Sequence, residues 1–213
     1  MTLLDHGVQA NAMTIPSRLP SHITRCHWAE TADAVMQTYH DTEWGVPHHD
    51  DRGLFELLTL EGAQAGLSWR TVLVRRDAYR AAYHGFDIER VAAMTDADLE
   101  KLLTESPLIR NRLKIFSVRG NAKAALAAIA QYGSLDRYLW SFVGHTPTRH
   151  LRADRSEVPA TTEISDVMSK ALKKAGFRFV GSTICYAFMQ ATGMVDDHLV
   201  NCFRHTQESP PHA

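Results

Sequence analysis

Apolar residues in this chain recur three and four apart almost throughout, as in Leu54, Leu57 and Leu58, in Val72 and Leu73 with Tyr79 and Tyr83 following, and in Leu99, Leu102 and Leu103. That period marks one face of an α-helix, and the strict alternation of a half-buried strand is hard to find. The pattern predicts an all-α body. Local chemistry supplies the boundaries. Asp87 precedes a turn leading to Val91 and Met94, Thr95 caps a helix carrying Leu99, and Ser165 caps one ending near Gly176. An alanine-rich helix is expected over 110–132, stopped by Gly133, with Ser134 starting another through Tyr138, Trp140 and Phe142. Residues 145–162, with Pro147 and Pro159, read as one long irregular loop.

The chain has 213 residues, 45% hydrophobic and 22% charged, which excludes a mostly disordered protein. Residues 1–22 and 207–213 carry prolines and no apolar period, so they are expected to be a flexible arm and tail around one domain at 23–206. That domain is expected to be divisible into two lobes. Apolar runs fall short of the roughly 18 residues a membrane span needs, and the first residues hold no run suited to a signal peptide. The expectation is a cytoplasmic protein without membrane contact. Three cysteines are too few and too far apart for a disulfide framework, which leaves reduced thiols or metal ligands.

Net charge is −1, from 23 basic and 24 acidic side chains, so the overall balance selects no polyanion. Its distribution is uneven. Residues 106–135 contain Arg110, Arg112, Lys114, Arg119 and Lys123 without an acid, and 167–195 contain Lys170, Lys173, Lys174 and Arg178 without one. Such segments suit either a bound polyanion or merely solvated helix faces.

Three constellations carry candidate chemistry. His198 and Cys202 are four apart, on one face if helical, and make half of a zinc site; Cys26 and His40 are available to complete a closed Cys₂His₂ set. With 12 histidines in the chain, a chance pair of surface residues is the competing reading. Tyr39, Trp44 and Trp69 flank Glu61 in the small-residue stretch 60–69, where a buried carboxylate needs a donor or a cation and an exposed helix glutamate needs neither. The segment 102–112 reads as a helix, a tight turn and a basic helix, which either offers N–H groups to a DNA phosphate or is an ordinary loop.

Together these segments resemble the 3-methyladenine DNA glycosylase I family, within the helix-hairpin-helix superfamily of base-excision enzymes. The resemblance runs from Arg25-Cys26 through Tyr39-His40-Asp41-Thr42-Glu43-Trp44-Gly45-Val46-Pro47, the segment 61–69, Ile109-Arg110-Asn111-Arg112, Tyr138-Leu139-Trp140-Ser141-Phe142 and Lys173-Lys174-Ala175-Gly176-Phe177-Arg178-Phe179-Val180-Gly181 to Cys202. It implies that Cys26, His40, His198 and Cys202 bind one structural zinc joining the two ends of the domain. It also implies that Glu61 recognises the base, with a catalytic role open, while Tyr39, Trp44, Trp69 and Met36 line the base pocket.

The expected activity is hydrolysis of the N-glycosidic bond of 3-methyladenine in alkylated double-stranded DNA by a monomeric, monofunctional enzyme. It would release the free base and leave an abasic site. Ser106, Leu108, Ile109, Arg110, Arg112 and Lys114 are the expected DNA contacts. No catalytic base is assigned, since Asp136 beside Ser134 is more simply a first-turn acid. Two positions depart from the family pattern. Met36 stands where a tyrosine is frequent, and Pro107, which has no N–H, stands where the hairpin has a glycine. These departures leave a non-catalytic DNA- or lesion-binding protein of the same fold, or a glycosylase for another damaged base, as the alternatives.

Overall fold

The computed structural model describes residues 23–205, so the expected arm at 1–22 and tail at 207–213 lie outside the described residues. Helix starts follow short polar side chains that take up the otherwise unpaired N–H groups of a first turn. After α1 (His27–Glu30), Asp33 accepts from Met36 N–H and opens α2 (Ala34–Thr42), and Asp50 opens α3 (Asp51–Gln64). Ser68 opens α4 (Trp69–Leu73), which leads into α5 (Arg76–Ala82), and Asp87 opens α6 (Ile88–Ala92). Thr95 and Asp98 form a reciprocal capping box at α7 (Asp96–Glu105), and Asn111 opens α8 (Arg112–Tyr132), which ends at left-handed Gly133. Ser134 opens α9 (Leu135–Trp140); α10 (Glu163–Lys174) and α11 (Ser182–Ala191) follow.

Several sequence expectations need correction. The cap of α10 is Thr162, not Ser165, whose hydroxyl is the returning half of a capping box. The basic helix starts at Arg112 rather than 110, because Asn111 in extended backbone supplies its cap. The aromatic helix after Ser134 stops at Trp140, and Phe142 falls in a 3-10 turn, Ser141–Val143. Within the expected irregular loop lie a 3-10 turn, Arg155–Glu157, and the two-residue strand β1 (Thr148–Arg149), which pairs in parallel with β2 (Val195–Asp196). Two residues are too few to show a period-two pattern.

The long α8 packs against α3, α6, α7 and α9; α3 in turn meets α4 and α11, and α10 covers α11. Leu54, Leu58, Leu60, Leu99, Leu135, Leu139, Trp140 and Phe188 fill the space between them. A second, smaller apolar cluster of Cys26, Leu199 and Cys202 lies under Trp28, Trp44 and Phe203. No helix among the described residues is long and apolar enough to cross a membrane.

One contact brings the start of the described chain against its end. Gly45 N–H donates to Gln190 O at 3.0 Å, and His48 N–H donates to Thr192 O at 3.0 Å. Gly193 makes this approach feasible: its φ is +68°, and a Cβ there would lie 2.4 Å from the Val46 carbonyl carbon and the Pro47 nitrogen. Gly193→Ala is therefore expected to destabilise the protein by about 3 kcal/mol, combining left-handed strain with a backbone clash. The shift in urea midpoint checks it.

Candidate functional site

Cys26, just before α1, His40 on α2, and His198 and Cys202 beyond β2 converge although they come from opposite ends of the described chain. All four are buried, and their ligating atoms lie within 4.8 Å of one another. Cys26 Sγ is 3.5 Å from His198 Nδ1, and Cys202 Sγ is 3.5 Å from His40 Nε2 and 3.6 Å from His198 Nδ1. Bonds of about 2.0–2.3 Å to a tetrahedral ion give edges of roughly 3.6 Å, so this spacing fits a metal ion.

The surroundings orient both rings. His40 Nδ1 is 2.8 Å from Asp41 Oδ1, and Arg25 clamps the same carboxylate at 2.7–3.1 Å, which turns the His40 Nε2 lone pair toward the sulfurs. His198 Nε2 lies 3.0 Å from Trp44 O, which directs Nδ1 inward. The hydrogen bond from the Cys26 thiol holds Cys202 far below the usual thiol range, while the Cys26 thiol that keeps its proton in that bond, and is buried, is pushed up. A cation at the centre favours both thiolates. The four residues thus form a group able to hold a metal ion with no ligand position left over.

Beside this group opens a cavity of about 520 Å³, lined among others by Tyr39, Trp44, Glu61, Trp69, Met36 and Trp28. Tyr39 and Trp69 rings are 5.2 Å apart at 49°, and Trp28 meets Trp44 edge-on at 5.2 Å. Glu61 is 3% exposed, and its Oε2 has no hydrogen-bond partner; Trp69 Nε1 is also buried without one. Burial alone pushes the Glu61 carboxyl up to about 8. It also raises the Tyr39 phenol well above its ordinary value, with the Glu61 charge adding to the effect.

On the same helix Glu56 is buried too, but Arg76 and Arg80 both bind it. Glu61, five residues on, faces a cavity instead of a cation. The neutral form favours folding, so the raised value contributes stability that is full below about 4.5 and is lost as pH rises through about 8.

The expected pocket residues therefore gather in one place. The expected DNA contacts do not all present themselves to solvent. Leu108 is buried in the core, and Ile109 packs against it. Ser106 Oγ donates to Leu102 O and accepts from Leu108 N–H at 3.4 Å. Lys114 Nζ donates to Ala63 O and Ala65 O at 2.9 and 2.6 Å, closing the end of α3. Arg112 pairs with Glu100 at 2.6 Å and Arg119 with Asp96 at 2.6 Å, so acids of α7 answer much of the basic run on α8. Arg110 remains exposed in the turn 106–111.

Trp28, Gln64, Arg155 and Asp197 line the cavity and were not expected from sequence. Asp197 is fully engaged. Burial pushes its carboxyl up, but hydrogen bonds from Tyr186, Gln190 and His150 outweigh this and hold it below the usual range.

The sequence model of the methyladenine glycosylase family matches residues 28–205. The chain belongs to this family. It is 48% identical over 186 residues to DNA-3-methyladenine glycosylase 1 of Escherichia coli (strain K12), covering 87% of this chain and 99% of that protein. A crystal structure of 3-methyladenine DNA glycosylase I superposes with a TM-score of 0.81 at 50% identity, covering 84% of this chain and 98% of the other. A variant of 3-methyladenine DNA glycosylase I in complex with 3-methyladenine gives 0.83 at 34% identity, over 86% and 98%. The cavity described above thus belongs to a methyladenine glycosylase.

Proposed function

We propose that this protein is a monofunctional DNA-repair glycosylase that hydrolyses the bond between N3-methylated adenine and deoxyribose. The observation that carries this reading is a buried carboxyl with an unpartnered oxygen in an aromatic-lined cavity. Methylation at N3 makes the adenine of a nucleoside cationic, and a desolvated cation gains about 2 kcal/mol or more from aromatic faces. Glu61 accepts from the polar edge of such a base, and its ionised form is stabilised by the charge it meets. Neutral adenine offers no such compensation.

The lesion reaches the cavity by leaving the duplex, and its weakened pairing lowers that cost. The bond that breaks joins N9 to C1′. Its electron pair passes into the cationic ring, so neutral 3-methyladenine departs, a water oxygen bonds to C1′, and the water proton goes to solvent. The cationic leaving group does much of the work, which fits a cavity without an assigned catalytic base. Asp197 is engaged on both oxygens, Asp136 pairs with His49 at 2.8 Å, and among the described residues no lysine lines the cavity to form a covalent intermediate.

The helices α7 and α8 with turn 106–111 are read as the helix-hairpin-helix, using Arg110 and the exposed turn backbone against DNA phosphate; Pro107 removes one N–H from that contact. Cys26, His40, His198 and Cys202 are read as a structural zinc site in a monomeric, cytoplasmic enzyme. Four protein ligands leave zinc no open position, so its contribution is to folding.

On N-methylated duplex DNA the protein is expected to release 3-methyladenine, and Glu61→Ala to lower kcat/KM by at least tenfold while remaining folded. The wild-type kcat/KM is expected to rise from pH 6 to a plateau above about 8, where free Glu61 ionises, and Glu61→Gln to flatten that profile. Chromatography of released bases reads both. Separately, elemental analysis is expected to find about one zinc per chain, and Cys202→Ser to lose the metal and lower the Tm by several degrees.

A further inference from the structure

Part of the cavity lining is supplied by the loop at 145–162, through Arg155 and Val158. Arg155 lies exposed in a 3-10 turn whose two flanking acids are both turned to the backbone. Asp154 accepts from Ser156 N–H at 2.8 Å, and Glu157 accepts from Ala153 N–H at 2.8 Å. Neither forms an ion pair with the guanidinium, and no carboxylate among the described residues does. This contrasts with Arg25, Arg52, Arg70, Arg76, Arg80, Arg112 and Arg119, each held by an acid.

A free guanidinium on the wall of this cavity repels a cationic base and attracts an anion. The methylated nucleotide carries both signs, a positive ring and a negative phosphodiester. Glu61 and the aromatic rings suit the ring, which leaves the phosphodiester for the guanidinium. We infer that Arg155 binds the backbone phosphate of the flipped nucleotide, so that the cavity reads the lesion by its separated charges, carboxyl to base and guanidinium to phosphate. This inference rests on the glycosylase reading given above. Arginine suits the role because its planar fork donates two parallel N–H groups to phosphate oxygens.

The test measures steady-state excision from methylated duplex DNA at several salt concentrations, together with binding of free 3-methyladenine, for wild type, Arg155→Ala and Arg155→Lys. Arg155→Ala is expected to raise KM about tenfold, to reduce the salt dependence of KM by about one phosphate contact, and to leave free-base affinity within twofold. Arg155→Lys is expected to recover part of the KM and most of the salt dependence. An unchanged KM and salt slope in Arg155→Ala overturns the inference while leaving the glycosylase reading intact, and so does an equal loss of free-base binding, which places Arg155 on the base. No base release by folded wild-type protein overturns the glycosylase reading and this inference with it.

Discussion

A carboxyl buried without a partner is among the more expensive things a fold can contain, and the architecture around Glu61 holds one in place. The same helix shows the ordinary solution at Glu56, where two arginines neutralise the charge. At Glu61 the fold instead supplies aromatic walls and room for a guest. The cost is met partly by keeping the proton, which the raised carboxyl expresses, and the remainder is available to a ligand that brings positive charge. Under the proposed function, preference for a methylated, cationic base over a neutral one would come from electrostatics more than from shape.

The Cys/His group able to hold a metal ion and the cavity are built on the same backbone. On α2, Tyr39 lines the cavity and its neighbour His40 faces the two sulfurs; beyond β2, Asp197 lines the cavity and its neighbour His198 points to the same sulfurs. Cys26 belongs to both. A displacement of these four residues therefore moves the cavity walls. Gly45 and Gly193 allow the two ends to approach, since any side chain at Gly193 would strike the Val46–Pro47 backbone. Zinc at this place would lock the approach that those glycines permit.

Much of this was legible in the sequence because it is local. Helix starts at Thr95 and Ser134, and the stop at Gly133, depend on residues within a turn of each other. The Ser165 assignment failed because a capping box contains two hydroxyls, and only backbone geometry tells which one leads. Cys26, His40, His198 and Cys202 gathered as the resemblance implied, whereas spacing alone could supply only the His198 and Cys202 half.

The basic run on α8, open between two readings in the sequence, is largely answered within the protein. Its acid partners, Glu100 and Asp96, lie on the preceding helix, and Lys114 spends its donors on the carbonyls of α3. Trp28 and Arg155 left no usable signal. Each becomes a wall residue only through packing of segments far apart in the chain.

Recognition as described depends on Glu61 being an unpaired carboxyl that keeps its proton at neutral pH in the ligand-free protein. Carbon-13 NMR of the Glu61 side-chain carboxyl, followed from pH 4 to 10 in folded protein, tests it directly. A titration midpoint near 8 is predicted. A midpoint near 4.5, that of an ordinary solvated glutamate, would contradict it.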